Sequence, residues 1–129
     1  MDYDQLTLTQ AAADLRAGKT TSRAMTSEAI ARARANADLN AFITLDEASA
    51  LKAAAAFDAE ANAGADKPLG GVPIVIKDNI EVAGLPCTAG TPALRSFIPS
   101  SDAPVAAKLR PAGAIICDTT LLCIPSYAA

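Results

Sequence analysis

Apolar residues recur with a helical period through the first half of the chain and change to short continuous runs in the second. Thr7 followed by Gln10 has the spacing of a capping box, and Ala11, Ala12 and Leu15 then form a short apolar stripe. Gly18 suits the stop that follows. Ser22 is a candidate N-cap for a second helix to about Asn36, with Met25, Ala29, Ile30 and Ala33 on one face and Arg23, Glu28, Arg32 and Arg34 mostly on the other. Leu39 to Leu45 is rich in β-branched and aromatic residues and reads as an extended segment. Asp46 then caps a third, alanine-rich helix, with Leu51, Ala54, Ala55 and Asp58 on neighbouring turns and Gly64 as its end.

In the second half, Gly70 and Gly71 precede an apolar run from Val72 to about Lys77 that reads as a buried strand. A long stretch follows, punctuated by Gly84, Pro86, Gly90, Pro92 and Pro99. Irregular connections of that length are uncommon inside a domain and are often functional. Asp102 is the expected cap of a helix that tolerates Pro104 in its first turn, carries Val105 and Leu109 on one face and ends near Pro111 and Gly113. Ala114 to Cys117 reads as a second buried strand. Strand, helical crossover, strand is the grammar of a parallel sheet. The fold class expected is therefore α/β: N-terminal helices over residues 1–66, then the start of a mainly parallel sheet covered by helices over 67–129, within one domain.

The chain has 129 residues, 51% of them hydrophobic, but about a quarter are alanine and only 4% are aromatic. Alanine buries little area, so the core is expected to be thin. The chain has no histidine. That removes a Ser–His–Asp triad, a Cys–His pair, histidine metal sites and a histidine pH switch. Proton transfer would fall to a lysine, carboxylate, tyrosine or cysteine. The net charge is −3, with no basic stripe of the kind that nucleic acid requires. Cys87, Cys117 and Cys123 are odd in number and lack CxxC spacing, which fits neither a disulfide framework nor a zinc site and points to a reducing, cytoplasmic setting. The N-terminus lacks the pattern of a signal peptide, and the apolar runs are too short to span a bilayer. No cofactor or metal is expected.

Lys77 is the residue with the strongest claim to chemistry. It ends a strand and precedes a Gly/Pro-rich loop, and sites in open α/β sheets form beyond the carboxyl ends of strands. Partial desolvation of a lysine there favours the neutral amine, a competent base or Schiff-base nucleophile. The plainer alternative is a lysine that blunts a strand end. Alternation turns Asp78 to the opposite face, and turn formation is the default role for Asp78 and Asn79. Ser100 and Ser101 read as helix-entry residues rather than nucleophiles. Cys87 reads as a small buried residue.

The segment Gly70 to Gly90, GGVPIVIKDNIEVAGLPCTAG, resembles the start of the catalytic core of the amidase signature family: Gly-[ILV]-Pro, apolar residues, Lys-Asp-Asn, then a Thr-Ala-Gly loop. The likeness continues through TPAL, the DAPVAAKLRPAGA helix and the AII strand, and upstream through LNAFIT, over about residues 5–116. The wording of TAGTPAL is nearest to the mandelamide- and indoleacetamide-hydrolysing members. The resemblance implies hydrolysis of an amide C–N bond of a small molecule by a Ser–cis-Ser–Lys triad, with Lys77 as the base, a bridging serine, a nucleophilic serine and an acyl-enzyme. It also implies that both serines lie in a Gly/Ser-rich segment well downstream, for which residues 1–129 have no counterpart. After the AII strand, Asp118, Thr119 and Leu121 stand where that family has glycine, lysine and asparagine. A truncated or frame-shifted product and a functional short form both account for this, and the chain alone is expected to be inactive. Two readings compete. One is a non-catalytic interaction module that self-associates through the exposed edge of the AIIC strand. The other is a Schiff-base lysine enzyme acting on carbonyl compounds.

Overall fold

The computed structural model describes residues 5–60 and 66–120. Helix α1 spans Leu8–Arg16, α2 Ser22–Ala35, α3 Glu47–Ala59 and α4 Pro104–Leu109. Strand β1 is Phe42–Leu45, β2 Pro73–Lys77 and β3 Ile115–Thr120. The three strands form one sheet in the order β1-β3-β2. β2 runs parallel to β3, with Pro73 opposite Ile115 and Lys77 opposite Thr120. β1 runs antiparallel to β3, with Leu45 opposite Asp118. The α/β expectation holds, and β2, α4 and β3 form the expected parallel unit.

Local chemistry explains the helix starts. Thr7 Oγ1 accepts from the Gln10 amide at 3.2 Å, and an Asp46 side-chain oxygen accepts from the Ser49 amide at 3.2 Å. The second helix differs by one residue from the sequence reading. Thr21 is its cap, accepting from the Ala24 amide at 3.0 Å. Ser22 is fully buried, and its hydroxyl donates to the Gly71 carbonyl at 2.7 Å. Two adjacent cap-type residues make the boundary ambiguous in sequence, and a tertiary hydrogen bond claims the second. The α2 face is also shifted. Ala29 is exposed, and Thr26 joins Met25, Ile30 and Ala33 on the buried side.

Asp102 is not a cap either. Ala103 occupies the cap position of α4 without a side-chain hydrogen bond. Asp102 instead accepts from the Ala83 amide at 2.7 Å and from Arg110 Nε at 2.6 Å, joining the loop after β2 to the far end of α4. The Val105 side chain, expected on the inner face with Leu109, is exposed, and Ala106 is the residue of α4 that is completely buried. Pro111 stops the helix as expected, since α4 ends at Leu109. Gly64 lies outside the described residues, and α3 already ends at Ala59. β3 continues beyond Cys117 to Thr120, and only the last four residues of the 39–45 segment are strand.

The core lies in three clusters. Ala11, Ala12 and Met25 meet Val72 between α1, α2 and the start of β2. Ala50 and Ala54 of α3 lie against Ile115 and Cys117 of β3. Ala106 packs with Ile76, Val82 and Leu85, flanked by Leu109 and Ile116. Alternation along β3 thus sends Ile115 and Cys117 to α3 and Ile116 toward α4. Ile74 touches both the first and the third cluster. The alanines let helix backbones lie close to the sheet, so little volume is needed to fill the interior.

The AIIC strand is central rather than an edge. β1 covers one side of it and β2 the other, and the open edges among the described residues belong to β1 and β2. The expectation that AIIC presents an exposed edge is therefore corrected, because the antiparallel return of β1 occupies that side.

Gly71 is the tightest point of the packing. Its φ is +75°, and a Cβ there would meet the Phe57 ring at 2.7 Å and the Ser22 Cβ at 3.0 Å. At Gly18, with φ +66°, a Cβ would meet nothing within 4 Å. Gly71→Ala is expected to cost about 2–5 kcal/mol, combining left-handed strain with overpacking, against about 1 kcal/mol for Gly18→Ala. Urea unfolding of both variants checks this, and equal losses would contradict it.

The Arg110 hydrogen bond, followed by the Ala83 amide, holds the Asp102 carboxyl below its ordinary pKa. A depressed folded-state value gives stability that is present above the unfolded pKa and lost as pH falls through the folded one. The stability gap between wild type and Asp102→Asn is therefore expected to be constant at neutral pH and to shrink from about pH 4 downward. Denaturant midpoints from pH 6 to pH 2 measure it, and a gap that widens in acid would refute the assignment.

Candidate active site

Lys77 closes β2, at the carboxyl end of the parallel pair. Its side chain is exposed, so the partial desolvation considered from sequence is not present among the described residues. Beyond it the chain reverses at once, the Ile80 amide donating to the Lys77 carbonyl at 2.9 Å. Asp78 and Asn79 are the central residues of this turn. Asn79 is exposed, whereas Asp78 has 0% exposure, on the face opposite Lys77 as alternation requires.

The buried Asp78 side chain is the polar centre of the region. Its Oδ1 accepts from the Thr88 amide at 3.1 Å. Its Oδ2 accepts from the Thr88 hydroxyl and from the Gly90 amide, the latter at 3.2 Å. The Asp78 carbonyl accepts from the Ala89 amide at 3.1 Å and from Cys87 Sγ at 3.3 Å. Residues 87–90 are thus folded back onto one residue of the strand end. Ala89 has φ +48° and Gly90 +69°, a left-handed bend that turns the amides of residues 88–90 back toward Asp78. For alanine this conformation is strained, and the ring of hydrogen bonds holds it. The sequence pattern assigns Asp78 only a turn. The Lys-Asp-Asn and Thr-Ala-Gly blocks are both visible there, but a spacing of ten residues carries no local rule that pairs them.

Beside this turn lies a cavity of about 250 Å³ lined by Ile43, Thr88, Gly90, Thr91, Pro92 and Arg95. Two of its lining residues, Thr88 and Gly90, are the ones Asp78 holds. The loop beyond continues to pin itself down: the Cys87 amide donates to the Phe97 carbonyl at 3.0 Å, and the Gly84 amide to the Pro99 carbonyl at 3.0 Å. Ser100 and Ser101 are exposed, ahead of α4.

Cys87 is a buried free thiol, as expected, and Cys117 is buried as well. Burial first, then the nearby charges of Asp78 and Glu81, push the Cys87 thiol above its ordinary pKa. A thiol that resists ionisation is a poor nucleophile. Among the described residues no group of three or more Cys, Asp or Glu side chains is placed to hold a metal ion. No helix among them is long and apolar enough to cross a membrane.

Lys77 thus stands at the carboxyl end of a parallel strand, the region where ligands bind in open α/β sheets, with a turn built around its neighbour behind it. The amidase family model matches residues 24–124, and the chain belongs to the amidase family. It is 48% identical over 117 residues to mandelamide hydrolase of Pseudomonas putida, covering 90% of this chain and 23% of that protein. It is 43% identical over 116 residues to a glutamyl-tRNA(Gln) amidotransferase subunit of Lacticaseibacillus casei, covering 89% of this chain and 24% of that one. The structure resembles the peptide amidase of Stenotrophomonas maltophilia with a TM-score of 0.84 and 35% identity, over 92% of this chain and 25% of the other. The chain therefore spans about a quarter of the length of the relatives it matches.

In the folded protein at pH 8, Cys87 is expected to resist iodoacetamide and to react once the chain is unfolded in urea. Peptide mass spectrometry reads the site directly. Rapid labelling of native Cys87 would show that the thiol is neither shielded nor held protonated.

Proposed function

We propose that residues 1–129 act as the opening portion of an amidase domain that hydrolyses a small carboxamide, with Lys77 as its general base. The observation that carries this is the Lys-Asp-Asn block at the end of β2 with the Thr-Ala-Gly turn folded onto it, in a chain of the amidase family. In this scheme the Lys77 amine takes a proton through a bridging serine from a nucleophilic serine. The serine oxygen attacks the amide carbonyl and ammonia or an amine departs with the proton. Water then cleaves the acyl-enzyme. Backbone amides hold the oxyanion. The Ser pair has no counterpart in residues 1–129, so the base is supplied here and the nucleophile is not.

Mandelamide is the first substrate to test, because a mandelamide hydrolase is 48% identical to this chain. A reducing, cytoplasmic setting fits the free, buried Cys87 thiol. The interaction-module reading loses the edge it named, because β3 lies in the middle of the sheet and the open edges among the described residues belong to β1 and β2.

The 129-residue chain alone is expected to release no ammonia from mandelamide above background. Residues 5–116, exchanged for the matching segment of the Pseudomonas putida enzyme, are expected to give an active chimera. Lys77→Ala in that chimera should lower kcat/KM by at least about 10²-fold. A folded Lys77→Ala chimera of unchanged activity would remove Lys77 from the chemistry. Ammonia release from the isolated chain, abolished by Lys77→Ala, would show that the base does not need the two serines.

A further inference from the structure

Asp78 does more than its turn requires. The Lys77–Ile80 turn is closed by backbone atoms, and no part of it depends on the Asp78 side chain. That side chain is nevertheless completely buried, with both oxygens taken up by Thr88 and Gly90. No lysine or arginine among the described residues forms an ion pair with it. Burial of a carboxyl group away from water is tolerated only where its hydrogen bonds are made, and here every one comes from a single turn. The same turn returns two contacts to the Asp78 carbonyl, from the Ala89 amide and from Cys87 Sγ. Residue 78 is therefore held from its side chain and its main chain together.

Lys77 is one peptide bond away. On its N-terminal side, pairing with β3 holds the strand. On its C-terminal side, Asp78 is the anchor. The lysine side chain itself is exposed and gains no fixed direction from burial. The direction of its Cα–Cβ bond therefore depends on how firmly residues 76–78 are gripped at both ends. Thr88 and Gly90 also line the cavity that contains Arg95, so one carboxyl group sets the strand end and a wall of that cavity.

We propose that Asp78 is a positioning residue: by clamping the Thr88–Gly90 turn to the end of β2, it fixes the backbone from which Lys77 projects relative to the adjoining cavity. Its importance for catalysis rests on the reading of Lys77 as the base, whereas the clamp itself does not.

The test is ¹⁵N relaxation on the uniformly labelled 129-residue chain, comparing wild type with Asp78→Asn, Thr88→Val, Thr88→Ser and Asp102→Asn. Asn at position 78 replaces one acceptor by a donor that faces amides or a hydroxyl, and Val at 88 removes the hydroxyl. Both are expected to lower the amide order parameters of Lys77, Asp78 and residues 88–90 from about 0.85 toward 0.6, while β3 and α3 keep theirs. Thr88→Ser restores the hydroxyl and is expected to restore order. Asp102→Asn removes a different carboxyl clamp, and Lys77 is expected to keep its order there. Unchanged order at Lys77 in both Asp78→Asn and Thr88→Val overturns the proposal, as does a uniform loss across the sheet. If Asp78→Asn does not fold, Thr88→Val decides alone. A chimera indifferent to Lys77→Ala would remove the base and leave this result standing, so the two ideas fail separately.

Discussion

The close approach at Gly71 is the contact on which the rest of the molecule is hung. Its carbonyl receives the buried Ser22 hydroxyl at the start of α2, and its amide donates to the Gly113 carbonyl at 2.9 Å just before β3. The Phe57 ring of α3 occupies the space a side chain would need. The Asp58 carboxyl, the next residue of α3, accepts from the Ser22 and Arg23 amides at 2.8 and 2.9 Å. Two helices and two strands thus meet where one residue lacks a Cβ. Two residues later β2 begins, so the course of the strand toward Lys77 is set at this junction.

The core explains why polar contacts matter so much here. Alanines hold many of the buried positions, and each buries little apolar area. Close packing of small side chains brings backbones near one another, and specificity passes to hydrogen bonds that tolerate no change of register. Asp58, Asp78 and Asp102 play one structural role in three places: each carboxyl receives backbone amides from a segment distant in sequence. Each ties a loop or helix end that apolar packing alone leaves loose.

What is legible in the sequence follows the range of the interactions. Helices α1 and α3 can be read because Thr7 and Asp46 act on amides three residues away. β2 can be read because the residues from Val72 onward form an uninterrupted apolar run. Lys77 is legible as the end of that run, and the amidase resemblance singles out the same residue. The errors come where a side chain with a common local role is used over a distance. Ser22 and Asp102 look like caps, and each instead bonds a partner nineteen or more residues away, while Asp78 forms the expected turn and also receives Thr88, ten residues on. The position of AIIC in the sheet is likewise illegible, since the pairing of β1 depends on a contact across most of the chain.

The strand order has a consequence for how such a chain comes to be folded. β1 and β2 are not neighbours, and among the described residues each pairs with β3 alone, the last of the three in sequence. During synthesis from the N-terminus, two strands therefore exist before either has a partner, and helices must shelter them in the meantime. Among these three strands the middle member arrives last, so both pairings are gained nearly together rather than strand by strand. Such an assembly is cooperative by construction and dominated by distant pairings, which makes it slow. Until Ile115–Thr120 is available, the apolar run that ends in Lys77 has no strand beside it, the state in which a nascent chain most needs protection from its neighbours.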